Sequence, residues 1–240
     1  MIRPAALVLV CAVALAACQT TQELSAERAK TAKKLVNQKG LTVSRENPKI
    51  AVGKTAVIQD KNGIAAVVEL RNTGSVAQAK LPVSIAVTDA AGKPLYKNDA
   101  AGIEESLASM ALLTKGEDAF WVNNQITATG KPAKVQAKVG AAKGKVPAQV
   151  PRFTISNVKV DSDADGLFAK GAIVNESKVA QQRLTIFCVA RKGGKIVAAG
   201  RAILDSLPAA GAKPTAFTIF FIGNPKGAKL SFSAPPTVLE

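Results

Sequence analysis

The sequence predicts an all-β protein built from one sandwich module written twice, and three observations carry that expectation. Val, Ile and Thr recur in short runs separated by Gly, Pro, Asn and Asp, the punctuation of strands and turns. Within the runs apolar and polar positions alternate. Leu81, Val83, Ile85 and Val87 interleave with Pro82, Ser84, Ala86 and Thr88, the period of a strand with one face buried. The second half of the chain then repeats the first.

The repeat begins where Pro48-Lys49-Ile50 matches Pro151-Arg152-Phe153, a spacing of 103 positions. The same spacing sets Asp60-Lys61-Asn62-Gly63 against Asp163-Ala164-Asp165-Gly166, and Asn72 with Val76-Ala77-Gln78 against Asn175 with Val179-Ala180-Gln181. With small shifts, Gly92-Lys93 matches Gly194-Lys195, Glu105-Ser106-Leu107 matches Asp205-Ser206-Leu207, and Phe120 and Asn124 match Phe220 and Asn224. Agreement at this many positions marks a duplication. The copies are residues 48–140 and 151–240, joined by a Gly/Pro/Lys linker at 141–150. About ninety residues holding six or seven short strands fit an immunoglobulin-like sandwich, in which two sheets each bury one face. The expected architecture is two such domains in tandem.

Ahead of the copies, residues 1–17 read as a signal peptide, with a basic start at Arg3 and an apolar run from Ala5 to Ala17. Residues 18–47 read as a tether. Their stretch from Gln22 to Gly40 has helix-forming composition, but its apolar stripe is only Leu24, Ala32, Leu35 and Val36.

Leu15-Ala16-Ala17-Cys18 resembles the lipobox of bacterial lipoproteins. That resemblance implies cleavage before Cys18, a lipid on the Cys18 thiol, and an extracytoplasmic location on a cell membrane or outer membrane. Of the three cysteines, Cys11 would leave with the signal and Cys18 would be acylated, so Cys188 has no partner for an intramolecular disulfide. Asn72-Thr73-Gly74, Val76-Ala77-Gln78, Asp89-Ala90-Ala91-Gly92-Lys93 and the run to Phe120 resemble the FxLYD-type domains of bacterial lipoproteins, and the second copy follows more loosely from Asn175 to Phe220. This resemblance implies a β-sandwich and carries no catalytic residue.

Composition narrows the function. Histidine is absent, which excludes Ser-His-Asp and Cys-His nucleophilic sites and imidazole-bound zinc or iron. No enzyme activity and no cofactor is expected; an envelope hydrolase or transferase working by Ser-Lys or carboxylate chemistry is the less favoured alternative. The formal charge is +15, of which signal cleavage removes only Arg3. With an export signal and no aromatic-basic stacking motif, that charge points to an anionic lipid or polymer, or an envelope protein, and away from nucleic acid. The expected role is non-enzymatic binding or scaffolding at the envelope, with membership of a larger envelope machine as the alternative.

Asp161-Ser162-Asp163-Ala164-Asp165-Gly166 begins like a calcium loop, but the twelfth position, where a bidentate Glu belongs, is Ala172. What the copies share is Asp-x-(Asp/Asn)-Gly, so the stretch reads as a hairpin turn whose Asp caps backbone amides. No metal site is expected, and a weak calcium contact at Asp161, Asp163 and Asp165 is the alternative. Glu104-Glu105 reads as a loop anchor, because Glu105 recurs as Asp205 while Glu104 meets Leu204. Cys188, opposite Ile85, reads as a small buried residue. The second copy carries extra apolar residues: Phe187 and Val189 on the strand face where the first has Ser84, Ala86 and Thr88, and a strand apolar on both sides, Phe217 to Ile222. With Phe220 and Ile222 assigned to the sandwich core, Phe187, Val189, Phe217, Ile219 and Phe221 form a second apolar surface. That surface packs on the first copy, where Trp121 sits opposite Phe221, or it binds a partner or a second chain.

Overall fold

The computed structural model of the chain describes residues 40–146 and 149–239. The signal peptide, Cys18 and the tether as far as residue 39 lie outside the described residues. The fold is all-β, as the sequence predicts, with every strand pair antiparallel.

The first copy contributes β1 (Ile50–Asp60), β2 (Gly63–Asn72), β3 (Gln78–Thr88), β4 (Pro94–Lys97), a single 3-10 turn (Glu105–Leu107), β5 (Ser109–Leu113), β6 (Asp118–Ile126) and β7 (Lys134–Val139). One sheet runs β1-β2-β6; in the other, β3 carries β4 and β5 end to end along one edge and β7 along the other. The second copy contributes β8 (Phe153–Ser162), β9 (Leu167–Asn175), β10 (Gln181–Lys192), β11 (Lys195–Leu207), β12 (Thr215–Gly223) and β13 (Lys229–Ser233). Here the uninterrupted β11 fills the place of β4 and β5.

That difference corrects one match made by sequence. Gln78 pairs with Leu113 and its counterpart Gln181 pairs with Leu207, so Leu207 corresponds to Leu113 and not to Leu107. Residues 98–108 are an excursion special to the first copy, and Glu105 has no counterpart in Asp205.

The shared motif residues are latches for backbone groups that the strands leave unpaired. Asn72 donates from Nδ2 to the carbonyls of Val76 (2.9 Å) and Leu113 (3.0 Å) and accepts from the amide of Gly74. Asn175 repeats this with Val179 and Ser177. Gln181 clamps the C-terminal segment, accepting from the amides of Thr237 and Val238 and donating to the carbonyl of Val238. Residues 40–47, assigned by sequence to the tether, already lie on the first copy: the amide of Asn47 donates to the carbonyl of Val139 and Glu46 bridges to Gly140.

The two sheets of the second copy are joined into one, in the order β13-β10-β11-β12-β9-β8, because β12 leaves β9 and pairs with β11 at Ala198–Gly200. Gly200 makes that corner feasible. A Cβ there would stand 2.2 Å from the carbonyl oxygen of Phe220. Gly223 closes the corner with φ 93°.

The second copy has its own core, including Ile173, Leu184, Ile186, Cys188, Phe217, Ile219 and Phe221. The core of the first copy does not end at the copy boundary: Phe187, Val189, Ala199 and Ile222 belong to it. Accordingly β2 and β6 are buried on both faces, with Ile64 to Val68 and Ala119 to Asn123 all buried. The described residues form one compact unit.

Candidate functional site at the seam between the copies

The seam is made by the outer face of β10 and β11 and by the outer face of the β1-β2-β6 sheet. In the register of the second copy Phe187 pairs with Arg201, Val189 with Ala199, and Ala199 with Ile222, which puts these five side chains on one face. On the first copy, Val67 pairs with Val122 and Glu69 with Phe120, a facing patch that is apolar except for the one carboxylate. Phe187 is 1% exposed and Val189 0%. Removing each such side chain from water stabilises the seam by about 1.5–3 kcal/mol.

Polar contacts bracket this patch. At one end Arg191 Nη2 lies 2.8 Å from Glu69 Oε1, and its guanidinium sits over the Phe120 ring at 5.7 Å. At the end of β12, the Asp60 carboxylate of the β1–β2 hairpin accepts from the amide of Gly223 at 2.7 Å. At the other end the excursion 98–108 reaches across. Glu104 Oε2 accepts from Arg201 Nη1 at 2.9 Å, Glu104 Oε1 accepts from Arg183 at 3.3 Å, and Ser106 Oγ accepts from Arg201 while donating to Glu104. The Arg201 side chain is only 3% exposed. Burial pushes the Glu104 carboxyl up, but the Ser106 hydroxyl and the Arg201 guanidinium outweigh it and hold the group below the usual carboxylate range.

Two openings flank the seam. One, about 490 Å³, lies beside Glu104 and is lined in part by Lys80, Lys143, Lys145 and Arg183. The other, about 980 Å³, follows the linker and carries Glu117, Asp118 and Glu176 with Arg152.

The residues singled out by sequence are distributed as follows. Phe187 and Val189 are in the seam. Trp121 is buried in the first copy's core, and its Nε1 donates to the carbonyl of Ser106 at 2.7 Å. Phe217, Ile219 and Phe221 are not on the second surface; they point into the second copy's own core, while Ile222 joins the seam and Phe220 is 43% exposed. The phase of this strand is therefore the reverse of the one read from sequence. The reason lies across the strand: Phe217 pairs with Gly171 and Ile219 with Ala169, and a Cβ on Gly171 would stand 2.6 Å from the Phe217 ring. The room for large rings is on that side.

Asp163 acts as a turn cap. Its Oδ1 accepts from the amides of Asp165 (2.9 Å) and Gly166 (3.2 Å), with Gly166 at φ 140°. Asp161 accepts from the amide of Ser162. Asp60 and Gly63 build the equivalent turn in the first copy. Cys188 is fully buried among Leu184 and Ile186, and burial pushes its thiol up to about 12.

Sequence reasoning missed Arg201 and Arg191 and read Glu104 only as part of a loop anchor. An Arg inside an apolar β-run, as in "VAAGRAIL", is the one signal that could have flagged Arg201, since a buried cation demands a partner.

No known protein-family model matches the chain, and no curated protein matches it in sequence. The likenesses to the lipobox and to FxLYD-type domains therefore rest on the quoted motifs.

Proposed function

We propose that this chain is an exported, lipid-anchored cell-envelope protein whose two sandwich modules are fused into one rigid binding unit with a non-enzymatic role. The observation that carries this reading is the seam. It joins the copies through a shared apolar core closed by Arg191–Glu69 and Arg201–Glu104, and it leaves a basic cleft open at its edge. Rigid modules with an open junction suit presentation of a fixed surface, because little conformational entropy is lost when a ligand settles there. Leu15-Ala16-Ala17-Cys18 supports anchorage through Cys18, and the surplus of Lys and Arg supports an anionic lipid, polymer or envelope protein as partner. The immunoglobulin-like and FxLYD-type assignment of each module belongs to the same proposal and is supported by the duplicated latch of Asn72 and Asn175.

Two measurements on the full chain test it. Mass spectrometry of the envelope-extracted protein should find Cys18 as the N-terminal residue carrying a diacylglyceryl group, and Cys18→Ser should release the protein from membranes. An unmodified Cys18 in a membrane-free chain would sink the anchor. Chemical cross-linking in intact cells should then capture a specific partner or anionic polymer. A hydrolytic activity that survives purification would overturn the non-enzymatic role.

A further inference from the structure

The duplication places a cationic residue at the same backbone kink in each copy. Lys80 follows Gln78 by two residues and Arg183 follows Gln181 by two, and both have a left-handed backbone with φ 50°. A non-glycine residue held there costs on the order of 1 kcal/mol, and the surrounding structure must hold it in place. Both side chains line the 490 Å³ cleft at the seam. The segments that follow the last strand of each copy complete the walls, with Lys143 and Lys145 after β7 and Thr237 and Leu239 after β13. The lining also includes the hydroxyl-bearing Ser106 and Thr185, together with Phe187.

The charges of this cleft are unbalanced. Of its two carboxylates, Glu104 is already engaged by Arg201, Arg183 and Ser106. Lys80, Lys143 and Lys145 have no carboxylate within salt-bridge distance among the described residues. Behind the Glu104 wall, Nε of Arg201 is buried without a hydrogen-bond partner. Amines on flexible stems around hydroxyl groups are the donors that surround a phosphate, and the volume falls in the range of small-ligand sites.

Resting on the binding role above, we propose that this cleft binds a phosphate-bearing ligand, a chemistry shared by lipid headgroups and by soluble phosphates. The amines of Lys80, Lys143 and Lys145 contact the phosphate oxygens, and the Ser106 and Thr185 hydroxyls meet the group that carries them.

The test is calorimetric titration of the full chain in a non-ionic detergent with inorganic pyrophosphate. Wild-type protein should bind it, and binding should weaken as salt is raised. Lys143→Glu with Lys145→Glu, which leaves the kink at Lys80 untouched, should weaken binding about tenfold or more. A control that removes charge elsewhere, Lys54→Ala with Lys159→Ala and Lys229→Ala, should bind like wild type. Competition by detergent micelles carrying phosphatidylglycerol, but not by micelles carrying phosphatidylcholine alone, assigns the site to a headgroup; no competition assigns it to a soluble phosphate. Equal weakening in the cleft and control variants would overturn the proposal, as would wild-type protein that does not bind pyrophosphate. Either failure, with Cys18 acylated and a partner cross-linked, removes the cleft as the binding site and leaves the anchored binding role standing.

Discussion

The Arg201 guanidinium, 3% exposed, donates to the Glu104 carboxylate at 2.9 Å across the seam, joining residues 97 positions apart. Arg201 projects from the outer face of a strand in the second copy, beside Phe187. Glu104 sits on an excursion that only the first copy has. A cation buried among apolar side chains is tolerable only when an acceptor is brought to it, so the excursion and the Arg belong to one device.

Removing the acceptor isolates the cation. Glu104→Ala should destabilise the protein by about 3 kcal/mol in denaturant unfolding, because Arg201 is left buried without its counter-charge. A change within experimental scatter of wild type would mean that water reaches Arg201 and that the pair contributes little.

The same pair sets an acid limit. Glu104 titrates below its ordinary value of 4.5 in the folded protein. A depressed folded-state value means that the unfolded chain takes up the proton first as pH falls. The stabilisation is therefore complete above the ordinary value and is lost as pH falls below it, through the depressed one. Stability measured against pH should show this acid limb in wild type and a flatter one in Glu104→Gln; superimposable limbs would assign the acid loss to other carboxylates.

Phe187 tests whether the copies share a core. Phe187→Ala should cost about 3–5 kcal/mol and leave one cooperative transition, since the same buried cluster spans both copies. Phe220→Ala, on β12 at a half-exposed position where the ring meets the edge of Phe168, should cost less, about 1 kcal/mol. Two separate transitions in the wild-type protein would show that the seam is not cooperative.

Cys188 should be chemically silent while the protein is folded. Its thiol is raised to about 12 by burial, so almost no thiolate is present at neutral pH. Labelling by a disulfide reagent should rise only with unfolding, along the same denaturant curve as fluorescence. Rapid modification of the native protein would contradict the burial.

Gly200 should be intolerant of a side chain. Gly200→Val sets a Cβ against the Phe220 carbonyl and should cost about 3 kcal/mol. Gly193, with open space around it and φ 56°, should lose only about 1 kcal/mol on conversion to Ala.

The local devices were legible in the chain itself. Asp60 and Asp163 cap their hairpin turns as the Asp-x-(Asp/Asn)-Gly spelling implies, and Leu81 to Val87 bury the face their alternation selects. Phe187 and Val189 stood out because strand positions facing water rarely carry such bulk. The phase of Phe217 to Ile222 was not legible, since both faces of that run are apolar and periodicity has nothing to choose between. Glu104 was misread for a related reason: alignment by residue type cannot see that residues 98–108 leave the strand line, which the pairing of Gln78 with Leu113 makes plain.

By itself the sequence determined the all-β class, the duplication, the hairpin turns and the burial of Cys188, because each follows from short-range alternation, turn chemistry or a constant spacing. Tertiary structure decided which face of β12 turns inward, where the first core ends, and that Arg201 finds Glu104. Those outcomes depend on pairings between residues far apart in the chain, where Gly171 makes room for Phe217 and a loop of one copy reaches a strand of the other. Patterns within a strand record that a face is buried; only the neighbouring layer decides what it is buried against.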